Sequence, residues 1–346
     1  MSSSVDSPKL DPHSHPHPDD LVESLAVIFS VSGVVLSEAE RSFFTRVRPF
    51  GFILFARNCQ DRDSVRALSD SLRACVGWDC PILIDQEGGR VQRLAPPVWD
   101  SFPPMQYFGT RARDAGLCLA QDELRRTIHA IAHDLTQAGV NVDCAPVLDV
   151  AHACTHGVIG DRAFSDDPAH VGALGLCACE AFLSCGITPV IKHIPGHGLA
   201  QHDTHTDLAR VEACEGDLMR DIAPFAHVAR APIGGRVWAM TAHVLYTAWD
   251  DLRCASVSPR IIQDVIRDRI GFQGILLSDD LSMGALDSIG DLPARADAVL
   301  RAGCDLALYC AGHLPDMEAL ADSVPHLSPQ ILARFAPDQT CFRAQG

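Results

Sequence analysis

Residues 191–207 read IKHIPGHGLAQHDTHTD and concentrate ionisable side chains on very few positions. An apolar run over 187–191 stops at Lys192 and His193. A Pro-Gly-His-Gly turn follows, and then His202, Asp203, His205 and Asp207. The Asp203-Thr204-His205 triplet sets a carboxylate beside an imidazole, the pairing that tunes a histidine for proton transfer near neutral pH. The same stretch supports two other readings. His193, His197, His202, Asp203 and His205 have the chemistry of metal ligands. The polar groups could also do no more than satisfy a buried loop.

Three further segments carry candidate chemistry. In IDQEGGRVQRL (84–94), Asp85 can accept hydrogen bonds from adjacent sugar hydroxyls, and Arg93 can donate to a hydroxyl or a carboxylate. An Asp–Arg ion pair across the turn is the competing reading, and Glu87 and Arg90 are assigned to structure. In GDRAFSDDP (160–168), Arg162 reaches for the pocket or the segment caps a helix starting near Ser165. In LLSDDLSMGAL (276–286), Asp279 leaves a strand directly, so it is rigidly held and suited to attack a sugar carbon. Alternation turns Asp280 away from it.

These side chains need a scaffold. Eight short runs read as strands: 25–31, 51–56, 81–85, 139–145, 187–192, 236–243, 274–279 and 303–309. Most are continuously apolar, as parallel strands buried on both faces must be. Helical patterns lie between them, for example over 61–76, 111–138, 167–185, 214–230, 258–270 and 293–302. Ser258-Pro259 has the form of an N-cap followed by proline, and Gly139, Gly186, Gly271 and Gly303 stand where helices should stop. Eight strands with interleaved helices predict a single-domain (β/α)8 TIM-type barrel over 21–346. A doubly wound sheet is the runner-up, weakened because no glycine-rich dinucleotide loop follows the first strand. Strand three ends in Asp85-Gln86-Glu87, strand five in Lys192-His193, strand six in His243 and strand seven in Asp279-Asp280. Barrel active sites form at those C-terminal ends.

Composition narrows the partners. The chain has 346 residues, 47% of them hydrophobic, enough for a sizeable core. A net charge of −16 without a basic patch argues against nucleic acid. No apolar run approaches the roughly 20 residues that cross a membrane. The fourteen cysteines show no paired CxxC spacing, and Cys144, Cys177 and Cys304 sit in apolar runs. With no secretory leader pattern at the start, this favours a reducing cytoplasm. Residues 1–20 are rich in Ser, Pro, His and Asp and read as a disordered tail.

Taken in order, IDQEGGRVQRL, GDRAFSDDP, KHIPGHG…DTH and SDDLSMGA resemble glycoside hydrolase family 3. Within it they are similar to the single-domain bacterial β-N-acetylglucosaminidases of cell-wall recycling. The resemblance covers roughly 22–315 and is supported by GFILFARN, APVLDV and MTAHVLY. It implies that Asp279 is the nucleophile of a covalent glycosyl-enzyme, His205 the acid/base and Asp203 its partner. It implies that Asp85, Arg93, Arg162, Lys192 and His193 hold N-acetylglucosamine in the −1 subsite. The implied substrate is the disaccharide of N-acetylglucosamine and 1,6-anhydro-N-acetylmuramic acid, with or without peptide, which fits a cytoplasmic location. No cofactor or metal is expected, and a self-contained barrel is expected to act as a monomer. The chain departs from the family at CASVS (254–258) and at Tyr309-Cys310-Ala311, which lacks the polar residue often seen there. A metal-dependent barrel hydrolase, a glycan-binding barrel without activity and a phosphorylase are the competing readings.

Overall fold

The computed structural model describes residues 23–202, 204 and 208–335. The N-terminal tail, Asp203 and His205 therefore lie outside the described residues. All eight expected strands are present: β1 (Leu25–Ser30), β2 (Pro49–Leu54), β3 (Ile82–Ile84), β4 (Val142–Asp143), β5 (Thr188–Ile194), β6 (Trp238–Thr241), β7 (Leu276–Asp280) and β8 (Leu306–Tyr309). They close into a barrel in which β8 lies beside β1, and every neighbouring pair is parallel. Closure leaves no unpaired edge. It also explains the apolar composition: β1, β2 and β8 are buried at every position, with one strand face on the barrel interior and the other under helices.

Helices α1 (Glu38–Val47), α2 (Arg62–Val76), α3 (Met105–Ala115), α4 (Leu117–Gln137), α5 (Pro168–Ser184) and α6 (Glu215–Ala229) cover the outside. A π-helical segment at Ile261–Ile270 and the helix α7 (Leu292–Ala302) follow. Local chemistry sets their ends. The Ser258 hydroxyl accepts from the Ile261 amide at 3.1 Å, the expected cap. The expected single helix over 111–138 is instead two, because Gly116 between α3 and α4 has φ +96°, outside the helical region. Helix α1 carries a capping box that the sequence displays as Ser37-x-x-Glu40. The Glu40 amide donates to the Ser37 hydroxyl at 3.2 Å, and the Ser37 amide donates to the Glu40 carboxylate at 2.9 Å.

The N-terminal mouth of the barrel is plugged. Phe335, on the helix Pro329–Phe335, packs edge-on against Phe50 of β2 with ring centroids 5.0 Å apart, and Trp78 and Trp238 join the cluster. Phe50 is fully buried, and removing such a ring costs about 3–5 kcal/mol. The opposite, C-terminal mouth is left for the polar loops. Among the described residues no helix is long and apolar enough to cross a membrane.

Candidate active site

The ends of six strands, β2, β3, β5, β6, β7 and β8, converge on a cavity of about 270 Å³. After β3 the chain turns through a small hairpin in which Gln86–Gly88 pairs with Val91–Gln92. The buried Gln86 side chain organises this turn. It accepts from the amides of Arg93 and Leu94 at 2.9 and 3.0 Å and donates to the Leu94 carbonyl at 3.0 Å. That brings Arg93 back onto Asp85, 3.0 Å from one carboxylate oxygen. The other oxygen receives the Lys192 ammonium from β5 at 2.7 Å. The Asp–Arg pair and a place in the cavity wall are thus not alternatives, since Asp85 and Arg93 have both.

Glu87 sits deeper. Its carboxylate takes Lys192 at 2.7 Å and both arms of Arg162 at 2.8 Å. Burial alone would raise the Glu87 pKa, but the charges of Lys192 and Arg162 outweigh it and hold the group ionised below its ordinary value. Asp85 follows the same logic with Lys192 and Arg93, and Lys192 is in turn held protonated. In GDRAFSDDP both expected roles occur, on different residues. Arg162 reaches the cavity, while Asp167 caps α5 by accepting from the Ala169 amide at 2.9 Å.

Lys192 and His193 are consecutive, yet both face the cavity, where the register of β5 against β6 slips between Lys192 and Ile194. Behind His193 stands Asp149, fully buried at the end of APVLDV. It accepts from His193 Nδ1 at 2.7 Å and from the His193 and His197 amides at 3.1 and 2.7 Å. This fixes the imidazole with Nε2 toward Arg162, 3.5 Å away. The sequence offered a signal for Asp149, because an acid inside a buried apolar segment needs a built partner set. Asp149→Asn is expected to raise KM about 10- to 100-fold with the fold retained, as follows from about 1.5–3 kcal/mol for a hydrogen bond to a charged group. A KM equal to wild type would remove Asp149 from the site.

His197 also lines the cavity, its ring 5.6 Å from that of His193 and its Nε2 3.4 Å from the Thr204 hydroxyl. Burial, aided by His193, lowers its pKa to about 4, so it is neutral at physiological pH. Thr204 also accepts from the Ala285 amide at 3.3 Å, which ties it to the loop after β7. The turn before it is tight: a Cβ at Gly198 would stand 1.8 Å from the Val150 carbonyl oxygen, so only glycine fits. Of the residues expected as metal ligands, His193 spends Nδ1 on Asp149 and His197 faces Thr204. Asp203 and His205 lie outside the described residues.

Asp279, next to last in β7, lies on the cavity wall, and one of its oxygens accepts from the Asp280 amide at 2.8 Å. Burial pushes its pKa up, but His243, His193, that amide and Lys192 bring it below the ordinary carboxylate value. Asp280 borders the cavity instead of pointing wholly away, yet its carboxylate is committed to the amides of Ser282 and Cys310, both at 3.1 Å. His243 differs from expectation. It is buried two residues beyond β6 and does not line the cavity. Its Nδ1 meets the Ser256 hydroxyl at 2.7 Å and its Nε2 the Asp280 carbonyl at 3.1 Å, so it buttresses β7 from outside the cavity.

Among the described residues the cavity therefore offers two carboxylates with no cation directly on them, Asp279 and Asp280. Asp280 is taken up by the Ser282 and Cys310 amides, which leaves Asp279 facing a wall where acids and bases are already paired. Such a wall suits a neutral, hydroxyl-rich ligand, which can donate to Asp85 and accept from Arg93, Lys192 and Arg162. Residues 25–334 match the model of the glycosyl hydrolase family 3 N-terminal domain. The chain is 36% identical to a β-hexosaminidase of Aromatoleum aromaticum over 90% of this chain and 83% of that one. It is 38% identical to a β-hexosaminidase of Stenotrophomonas maltophilia over 85% of each. The structure of NagZ from Neisseria gonorrhoeae in complex with N-trifluoroacetyl-D-glucosamine superposes with a TM-score of 0.82 at 28% identity, covering 90% of this chain and 89% of that one.

Proposed function

The chain belongs to glycosyl hydrolase family 3 and is a glycoside hydrolase of the β-N-acetylhexosaminidase type, and on that premise we propose that it is a retaining exo-β-N-acetylglucosaminidase that trims peptidoglycan fragments in the cytoplasm. The observation that carries the reading is the placement of Asp279, rigid on β7 and held ionised, across from the paired wall of Asp85, Arg93, Lys192 and Arg162. In this reading the wall binds the hydroxyls of a terminal N-acetylglucosamine, with His193 beside them. Asp279 attacks C1 while His205, paired with Asp203, protonates the glycosidic oxygen. The Asp279–C1 ester is then opened by a water that gives its proton to His205, and the sugar leaves with net retention. Most retaining glycosidases use two carboxylates about 5–5.5 Å apart, and here a histidine takes the place of one. The proposed natural substrate is the N-acetylglucosamine–1,6-anhydro-N-acetylmuramic acid disaccharide, and the protein acts as a monomer.

The test is hydrolysis of 4-nitrophenyl N-acetyl-β-D-glucosaminide followed by proton NMR, with and without EDTA and with and without inorganic phosphate. The β-anomer of free N-acetylglucosamine is expected first, at a rate indifferent to the chelator. Initial release of the α-anomer would overturn retention. Abolition by EDTA would return the site to the metal-dependent reading, and formation of a sugar-1-phosphate would make it a phosphorylase. Release of N-acetylglucosamine from the anhydro-disaccharide is expected in the same assay.

A further inference from the structure

One wall of the cavity is an unbroken chain of alternating charge. Arg93 meets Asp85 at 3.0 Å, Asp85 meets Lys192 at 2.7 Å, Lys192 meets Glu87 at 2.7 Å and Glu87 meets Arg162 at 2.8 Å. Glu87 is the innermost carboxylate of this chain, 1% exposed, and both of its oxygens are spent on cations. It has nothing left to offer a sugar. What it does instead is occupy the fork of Arg162, the two-pronged face by which a guanidinium grips carboxylates and phosphates. Without Glu87 the wall would hold three cations, Arg93, Lys192 and Arg162, against the single carboxylate of Asp85.

We propose that Glu87 is a positioning and specificity-determining residue. It holds the Lys192 ammonium and the Arg162 guanidinium at the cavity and fills the Arg162 fork, so that the cavity takes an uncharged sugar ring and turns away small oxyanions. The inference rests on the reading of this cavity as the sugar subsite. Specificity here is built by removing an attractive contact that the wrong ligand would use.

The experiment compares the full chain with Glu87→Gln and Glu87→Asp. Hydrolysis of 4-nitrophenyl N-acetyl-β-D-glucosaminide is measured against inorganic phosphate and against N-acetylglucosamine as competitors, at matched ionic strength. Glu87→Gln is expected to raise KM about tenfold with a smaller change in kcat, the pattern of lost binding, while phosphate becomes a competitive inhibitor at least about tenfold stronger than in wild type. N-acetylglucosamine should inhibit less. Glu87→Asp keeps the charge and is expected to keep phosphate inhibition weak. A higher KM with unchanged phosphate inhibition in Glu87→Gln overturns the specificity role, as does an equal gain in Glu87→Asp. If Glu87→Gln does not fold, Glu87→Ala is read for the same gain, and failure of both to fold overturns the proposal in favour of a structural role alone. Phosphate binding is also measured by calorimetry without substrate. A wild type that hydrolyses nothing would sink the sugar-subsite reading, and a Glu87→Gln protein that binds phosphate no better than wild type would sink this inference.

Discussion

Asp279→Ala is expected to lower kcat on 4-nitrophenyl N-acetyl-β-D-glucosaminide by about 10³-fold or more, the scale on which removal of a nucleophile acts. The position supports so large an effect. The carboxylate leaves β7 beneath the cavity, its oxygen is fixed by the Asp280 amide, and among the described residues no arginine or lysine is bonded to it. A nucleophile must be anionic and free to bond carbon, and the groups around Asp279 supply the first without preventing the second. Exogenous azide should restore part of the turnover in Asp279→Ala and yield the α-glycosyl azide, because the small anion attacks from the vacated face. A variant with more than a tenth of wild-type kcat would remove Asp279 from the mechanism. The depressed pKa gives a pH signature. Asp279 stays ionised above the ordinary carboxylate value of 3.8, so its loss of charge belongs to the strongly acidic side and not to any acid limb near neutrality.

The same sign governs stability. Asp85, Glu87, Asp149 and Asp279 all have folded-state pKa values below 3.8 or 4.5, their ordinary values. Their stabilisation is complete above those values and is lost as pH falls through the folded ones. Asp221, raised to about 6 by burial, works in the opposite direction, opposing the fold as pH rises from 3.8 through 6. The melting temperature is thus expected to fall steeply below about pH 4.

His205→Ala is expected to produce a loss that depends on the leaving group. A general acid contributes about 10²–10⁴-fold where the departing oxygen needs a proton, and little where it does not. Cleavage of the anhydro-disaccharide should therefore drop by about 10³-fold, while the glycosylation step with a 2,4-dinitrophenyl aglycone drops by less than about tenfold. Equal losses on the two substrates would show that His205 acts on folding or binding and not on proton delivery. Asp203→Asn should reproduce the same discrimination more weakly, because it detunes the imidazole without removing it.

Much of this molecule was readable before any coordinates. The eight apolar runs are the eight barrel strands, and the glycines at 139, 186 and 271 end helices with φ of +76°, +76° and +82°. Six of the candidate residues, Asp85, Arg93, Arg162, Lys192, His193 and Asp279, do surround one cavity. Two further local features are legible in the sequence. Gly116 breaks the helix over 111–138, and Ser37-x-x-Glu40 announces α1.

Periodicity and turn chemistry are local, so the sequence by itself determined the strands, most helix ends and the set of loops that meet at the C-terminal mouth. Pairing across the barrel is not local. Glu87 and Lys192 are 105 positions apart, and only closure of the sheet brings the ammonium to within 2.7 Å of two carboxylates. For the same reason alternation along one strand could not tell that His193 would follow Lys192 into the cavity, nor that His243 would turn out of it toward Ser256. Residue types announced the chemistry. The tertiary structure decided which charges cancel and which carboxylates are left without a cation, because the energy of a buried charge depends on its neighbours in space and not in the chain.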